Sequence, residues 1–358
     1  MVQDADGQLV PSFLSPQIDR EFEGERILAI FGGFGHIFVI NDTGKLAHAG
    51  PKGFVQQKLP PDAGGVRQVA CGEFHIAFIV DGGGLYTCGD NSFGQLGYTS
   101  PGAQDAVPRP VVAFARLPVT AVACGQHHTA CITAQGDVYT WGRGMEGQLG
   151  HGRLETSPSP RYVKALAGQP AATVAAGWLH TAAVTAAGRL YTWGDDTALQ
   201  LGVGRDGAAG GSGRRTVPTE VALEGGDGDE EGDVAVEGVG CGWGHTVCVT
   251  RSGAVWSFGL NRHGQLGHGT VDAAPLPRRV EALRGVAVRA VRCGGHVTAA
   301  LTRGGRLFVW GSGAHGRLGR GSEADGLVPA ACEVAGRLFA HPAACRFTQA
   351  RAARRGPG

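Results

Sequence analysis

From Val122 to Gly142 short apolar runs alternate with single glycines. Val-Ala-Cys-Gly leads through two free residues to His-Thr-Ala-Cys-Ile-Thr, and a Gln-Gly turn precedes Val-Tyr-Thr-Trp-Gly. β-branched and aromatic residues on both sides of a Gly-containing turn predict a hairpin, with arms Thr129 to Thr133 and Val138 to Trp141. A second punctuated turn, Gly147-Gln148-Leu149-Gly150, follows. The whole pattern is then repeated along the chain.

The repeat has a fixed internal spacing. His36 to Gly50, His75 to Gly89, His128 to Gly142, His180 to Gly194 and His245 to Gly259 are each 14 residues apart. A sixth copy ends at Gly311, with Val297 in the His place and His296 one residue earlier. Anchors at 36, 75, 128, 180, 245 and 297 give a period of about 52, with one short and one long unit. Turn motifs recur as Gly94-Gln95-Leu96-Gly97, Gly147-Gln148-Leu149-Gly150, Leu199-Gln200-Leu201-Gly202, Gly264-Gln265-Leu266-Gly267 and Gly316-Arg317-Leu318-Gly319. A Pro and a short apolar run follow, as at Pro158 to Val163 and Pro275 to Val280, and Pro suits an edge strand. Four antiparallel strands per unit, repeated six times, predict an all-β propeller of four-stranded blades.

The ends read as fragments of one more unit. Gly7 to Pro11 echo the turn motif, and Ala344-Cys345 resemble the residues before the first turn. The expectation is seven blades with one composite blade from both termini, six being the competing count, within a single domain over 1–350. A composite blade closes the ring and removes its exposed edges. The first unit lacks the Gly-Gln-Leu-Gly loop. The fourth is long because of a Gly-rich and acidic insertion over 204–233, and 351–358 is expected to be a disordered tail.

Composition narrows the function classes. The 62 glycines have no collagen period and agree with many tight turns. Formal charge is +1, so overall electrostatics does not point to nucleic acid or an anionic membrane. No run reaches the roughly 18 apolar residues of a membrane helix, and the first residues lack the basic and apolar regions of a secretory signal. The 9 cysteines form no Cys-x-x-Cys pair; Cys71, Cys124, Cys241 and Cys293 recur at one place of the unit, as small buried residues. An intracellular protein, cytoplasmic or nuclear, is expected.

These units resemble the repeat of the regulator-of-chromosome-condensation family: Val-Ala-Cys-Gly, two residues, His-Thr, an apolar strand, Gly, Val-Tyr-x-Trp-Gly, then Gly-Gln-Leu-Gly. The resemblance covers roughly residues 27 to 335, with Cys88 and Phe258 standing where the pattern has Trp. It implies a seven-bladed β-propeller and, from founding members, guanine-nucleotide exchange on a small GTPase. A more distant resemblance joins Gly177-Trp178-Leu179-His180-Thr181 and Gly242-Trp243-Gly244-His245-Thr246 to the Gly-Trp-Arg-His-Thr motifs of plant UV-B photoreceptors, although both lack the Arg.

No motif carries catalysis. The repeated His lies at a different angle in each blade and cannot converge on one metal, so each imidazole is expected to be buried and bonded to backbone of its own or the next blade. The turn glycines lack the Gly-Lys-Ser/Thr and helix of a phosphate loop, and are expected to supply positive φ. The acidic run Asp227 to Asp233 misses the calcium-loop spacing. No enzyme activity, metal or cofactor is expected. Function should lie where the copies differ, at the two free positions between Gly and His. There Phe34, Phe74, His127, Trp178, Trp243 and His296 are candidate partner-binding residues on one rim; packing against the neighbouring blade is the competing role for the aromatics. Trp141, Trp193, Trp310 and Trp256 are assigned to the core. The chain is therefore read as a scaffold for a protein partner, with GTPase exchange and light sensing as alternatives.

Overall fold

In the computed structural model, residues 64–99, 102–204, 213–223 and 234–332 are described, together with the strand backbones that precede residue 64. They form six four-stranded antiparallel sheets. In the third, the strands are Val119–Cys124, His128–Thr133, Val138–Gly142 and Ser157–Tyr162, from inside to outside. The same order recurs over residues 27–56 (blade 1), 66–110 (blade 2), 119–162 (blade 3), 171–221 (blade 4), 236–279 (blade 5) and 288–331 (blade 6). Innermost strands of successive blades lie side by side, as in a propeller.

The repeat spacing is a strand register. His75 pairs with Gly89, His128 with Gly142, His180 with Gly194 and His245 with Gly259 across the second and third strands. In blade 1, Gly50 pairs directly with Gly53, so the third and fourth strands meet with no room for a Gly-Gln-Leu-Gly loop. That accounts for the short unit. Val2–Gln3 and Leu9–Val10 pair as a separate two-stranded sheet. The expected composite seventh blade, Phe34, most of the 204–233 insertion and the 351–358 tail lie outside the described residues.

The core sits between blades. Ile132, Val138 and Val163 of blade 3 cluster with Val174, Tyr191 and Trp193 of blade 4. Trp141, Trp193 and Trp310 are fully buried, and Trp256 nearly so. Short 3-10 turns at Val112–Phe114, Lys164–Leu166 and Glu281–Leu283 return the chain from an outer strand to the next inner one, burying Phe114, Leu166 and Leu283. The two faces of the molecule therefore differ in origin. One carries the Gly-x-x-His turns and the Gly-Gln-Leu-Gly loops (the rim face); the other carries the hairpin turns and the blade connections (the hairpin face).

Candidate functional site

The rim face is held by a clasp repeated at four interfaces. His75 Nε2 meets Thr129 Oγ1 at 2.9 Å, His128 meets Thr181 at 2.9 Å, His180 meets Thr246 at 3.0 Å and His245 meets Thr298 at 3.0 Å. Each threonine belongs to the following blade. The expected backbone partner is thus replaced by a side chain. These hydroxyls donate to the carbonyls of Gln95, Gln148, Gln200 and Gln265, at 2.7–2.8 Å. A hydroxyl has one proton to give, so the imidazole must donate from Nε2, leaving Nδ1 unprotonated. Nδ1 has no hydrogen-bond partner in any of the four rings. Burial pushes all four pKa values down to about 3, which keeps the rings neutral.

The Gly-Gln-Leu-Gly turn is the other half of the clasp. Its Gln carbonyl also accepts the indole N–H of the next blade, from Trp141, Trp193 and Trp310, each at 2.9 Å. Its Leu carbonyl accepts a hydroxyl from its own blade, Thr87, Thr140, Thr192 or Ser257, at 2.6–2.7 Å. One turn therefore ties two blades together. Glycine at Gly125 is required because a Cβ there would collide with the His128 ring and the Gly177 carbonyl.

On this frame the variable turns are rigidly mounted. Each donates a backbone N–H to the next: Glu73 to Gln126 O at 3.3 Å, Gln126 to Trp178 O at 3.2 Å, Trp178 to Gly242 O at 3.2 Å and Trp243 to Gly295 O at 3.0 Å. Their side chains collect into two groups. In the first, Trp178 and Trp243 meet edge to face at 4.7 Å, and Trp243 meets His296 at 4.7 Å. His263 adds a further ring 5.0 Å from His296, and its Nδ1 lies 2.8 Å from Asp325 Oδ2. In the second, His127 lies between Phe74 at 6.4 Å and Phe93 at 5.0 Å, with the Arg143 guanidinium 5.4 Å from the Phe93 ring.

Exposure separates these residues. Phe74 is 59% exposed and Trp243 41%, whereas Trp178, His127 and His296 are partly buried against their neighbours. Both competing roles are thus present, packing for some rings and exposure for others. Burial lowers the His127 pKa, opposed by Glu73 and Asp90, whose carboxylates stand 3.7 and 3.9 Å from its ring nitrogens. Burial and the neighbouring His263 lower that of His296. Between the turns of blades 4 and 5 an open cavity of about 370 Å³ is lined by Leu199, Leu260, Asn261, Arg262 and Val271 among others; a Cβ on Gly244 would lie 3.2 Å from the Ala198 Cβ and 3.4 Å from the Leu260 Cβ.

Sequence reasoning did not reach Phe93 and His263. Each stands one place before its turn motif, where the copies read Phe93, Glu146, Ala198, His263 and His315. The rule that variable positions carry function would have found them, applied to this second site. Among the described residues no group of three or more His, Cys, Asp or Glu could hold a metal ion, and no helix is long and apolar enough to cross a membrane. The cysteines of the repeat are free thiols, and burial raises their pKa, to about 12 for Cys124 and Cys293.

Residues 82–132, 135–184, 187–249, 252–301 and 304–352 each match the regulator of chromosome condensation (RCC1) repeat. Over 262 residues the chain is 36% identical to the ultraviolet-B receptor UVR8 of Arabidopsis thaliana, covering 73% of this chain and 56% of that protein. It is 34% identical over 260 residues to the human E3 ubiquitin-protein ligase HERC2, covering 72% of this chain but 5% of that protein. The chain thus spans about half of the first relative and a small part of the second. Among solved structures, human WBSCR16 superposes with a TM-score of 0.75 at 27% identity, over 87% of this chain and 82% of that one. Prp20p of Saccharomyces cerevisiae, described with its binding properties to Gsp1p and histones, superposes with a TM-score of 0.70 at 21% identity, over 86% of this chain and 77% of that one.

Proposed function

The chain belongs to the regulator of chromosome condensation (RCC1) repeat family, and on that premise we propose that it acts without catalysis, as a scaffold seating a protein partner on its rim face. The observation that carries this reading is Trp243, 41% exposed yet braced by Trp178 and His296 on a backbone-bonded turn. A half-exposed Trp braced by neighbouring rings is the kind of anchor that dominates interface energies. Phe74 and His127 extend the surface across blades 2 and 3.

The test is to capture a cytoplasmic or nuclear partner with the full chain, then titrate the purified pair. Trp243→Ala should weaken the complex at least about tenfold, and Trp178→Ala should act in the same direction by removing the brace. An unchanged affinity in both variants rejects the rim reading.

Exchange on a small GTPase is the second reading, supported by the fold likeness to Prp20p. It requires that the captured partner be a GTPase and that the chain accelerate release of its guanine nucleotide. Light sensing is a third reading, favoured by the Trp178–Trp243 contact and the 36% identity to UVR8. The missing Arg beside each Trp weakens it. It requires a change of oligomeric state under UV-B, read by size-exclusion chromatography.

A further inference from the structure

The outer strands repeat a Pro, and blade 3 departs from the others just before it. Arg109, Arg161, Thr219, Arg278 and Ala330 pair with the same place of the third strand in blades 2 to 6. Each follows a Pro, and the residue before that Pro is Val107, Val217, Leu276 or Val328 in blades 2, 4, 5 and 6. All four are exposed. Val217, Leu276 and Val328 lean on the preceding blade, 3.8, 3.4 and 3.7 Å from where a Cβ on Gly152, Gly204 or Gly269 would stand. In blade 3 the place is held by Ser159, and the preceding blade offers Thr99 in place of the glycine.

The backbone presents this serine outward. Thr140 pairs with Arg161 and Gly142 with Ser157, so Pro158, Ser159 and Pro160 bulge opposite Trp141 alone. The strand is the outermost of its sheet, paired on one side only. Pro160 holds Ser159 extended and has no N–H to tie the segment down. Ser159 is exposed, and its hydroxyl makes no hydrogen bond among the described residues. Ser157 differs: it is half-buried, and its hydroxyl donates to Ser159 O at 2.9 Å. Arg161 is exposed two residues after Ser159, with half-buried Pro160 between them, so both point outward. Its guanidinium is 2.9 Å from Glu155, in an exposed pair.

We propose that Ser159 is a phosphorylation site for a proline-directed Ser/Thr protein kinase, the class that takes Pro directly after the acceptor. Ser159 Oγ bonds to the γ-phosphorus of ATP, the Pγ–O bond to ADP breaks, and the hydroxyl proton passes to the kinase's catalytic carboxylate. The product carries about two negative charges. It draws the Arg161 guanidinium away from Glu155, because a phosphate offers the planar fork more charge than a single carboxylate. Pro158 packs against Gly94 of the blade 2 turn, so the new charge stands at the seam of blades 2 and 3. The site is on an outer strand and does not depend on a partner seated at the rim. The chain holds three further Ser-Pro pairs, at Ser15, Ser100 and Ser157; the first two lie outside the described residues.

The test incubates the natively folded full chain with magnesium ATP and a purified mitogen-activated protein kinase. Phosphate is then located by fragmentation of the tryptic peptide over residues 154–161. Phosphate at Ser159 is expected, and Ser159→Ala should lower incorporation into that peptide at least about tenfold. Ser159→Thr should restore it, and Ser157→Ala should leave it within about twofold. The role of Arg161 is read by phosphorus NMR of the phosphorylated chain. The second phosphate ionisation should lie at least about 0.3 lower in pH with Arg161 than in Arg161→Gln, the scale of one exposed charge pair. The site is overturned if that peptide is labelled only after the chain is unfolded, if Ser159→Ala keeps the label, or if Ser157 alone carries it. An ionisation unchanged by Arg161→Gln overturns the exchange of Glu155 for phosphate.

Discussion

Adjacent interfaces of this propeller are built from one repeat, and their clasps differ at the Trp place and at the first residue of the turn. Between blades 3 and 4, the Gln148 carbonyl accepts both the Thr181 hydroxyl and the Trp193 indole, and Gly147 turns the chain at φ 85°. Between blades 4 and 5, the Gln200 carbonyl accepts the Thr246 hydroxyl, Phe258 fills the Trp place and Leu199 takes φ 64° where glycine is usual. The His-to-Thr bond is nevertheless the same, 2.9 Å at one interface and 3.0 Å at the other. The comparison teaches that His, Thr and the Gln carbonyl are the constant clasp, while the Trp bond and the turn glycine are additions that one interface lacks. That leaner interface also carries the Trp178–Trp243 contact on its rim.

The broadest way to break the comparison is acid, because it attacks every clasp alike. The folded-state pKa of His75, His128, His180 and His245 is about 3 against 6.5 in the unfolded chain. The unfolded chain therefore binds the extra protons, so stability is intact above pH about 6.5 and falls as pH drops toward 3. Each ring contributes a loss of about 1.4 kcal/mol per pH unit in that window, on the order of 8 kcal/mol for four rings at pH 5. Thermal melts across this range should show a steep fall, and a flat profile to pH 4 would sink the neutral-imidazole clasp.

The next effect is steric. Gly177→Ala places a Cβ against the His180 ring and the Gly242 carbonyl at the 4–5 interface, and should cost about 3 kcal/mol in chemical denaturation. A cost below about 1 kcal/mol would mean that the ring can swing away without loss.

The additions can then be exchanged. Trp193→Phe removes the indole donor and some volume, and should cost about 1.5 kcal/mol. Phe258→Trp should return about 0.5 kcal/mol or more by supplying a donor to Gln200 O. If Phe258→Trp destabilises instead, the 4–5 interface has repacked around the smaller ring. The smallest effect is at the turn. Leu199→Gly relieves a left-handed conformation and should stabilise by about 0.5 kcal/mol after the lost side-chain burial. Gly147→Leu should cost about 2 kcal/mol, since a Cβ there lies 2.9 Å from Arg215 O. Equal effects of opposite sign would show that both turns are strained alike.

Much of the architecture was legible because it is periodic. The interval from His to Gly is a hairpin register, and the missing loop of the first unit is a direct strand-to-strand junction. The candidate rim residues could also be named, since they are exceptions in an otherwise regular sentence. Their grouping could not. Phe93 reaches His127 from the preceding blade, and His263 reaches His296 in the same way, across 34 and 33 residues of chain. The partner of each clasp histidine was likewise out of reach, because it lies in the next unit, 53 to 66 residues away.

Taken alone, the sequence determined the repeat, the four-stranded antiparallel blade, the burial of its Trp positions and the places where copies differ. Those follow from local spacing, which sets turn geometry and the side to which each residue points. Tertiary structure decided which exceptions meet and how far each is exposed. Those depend on how one blade is set against the next, and that placement is written in contacts between units, not within them.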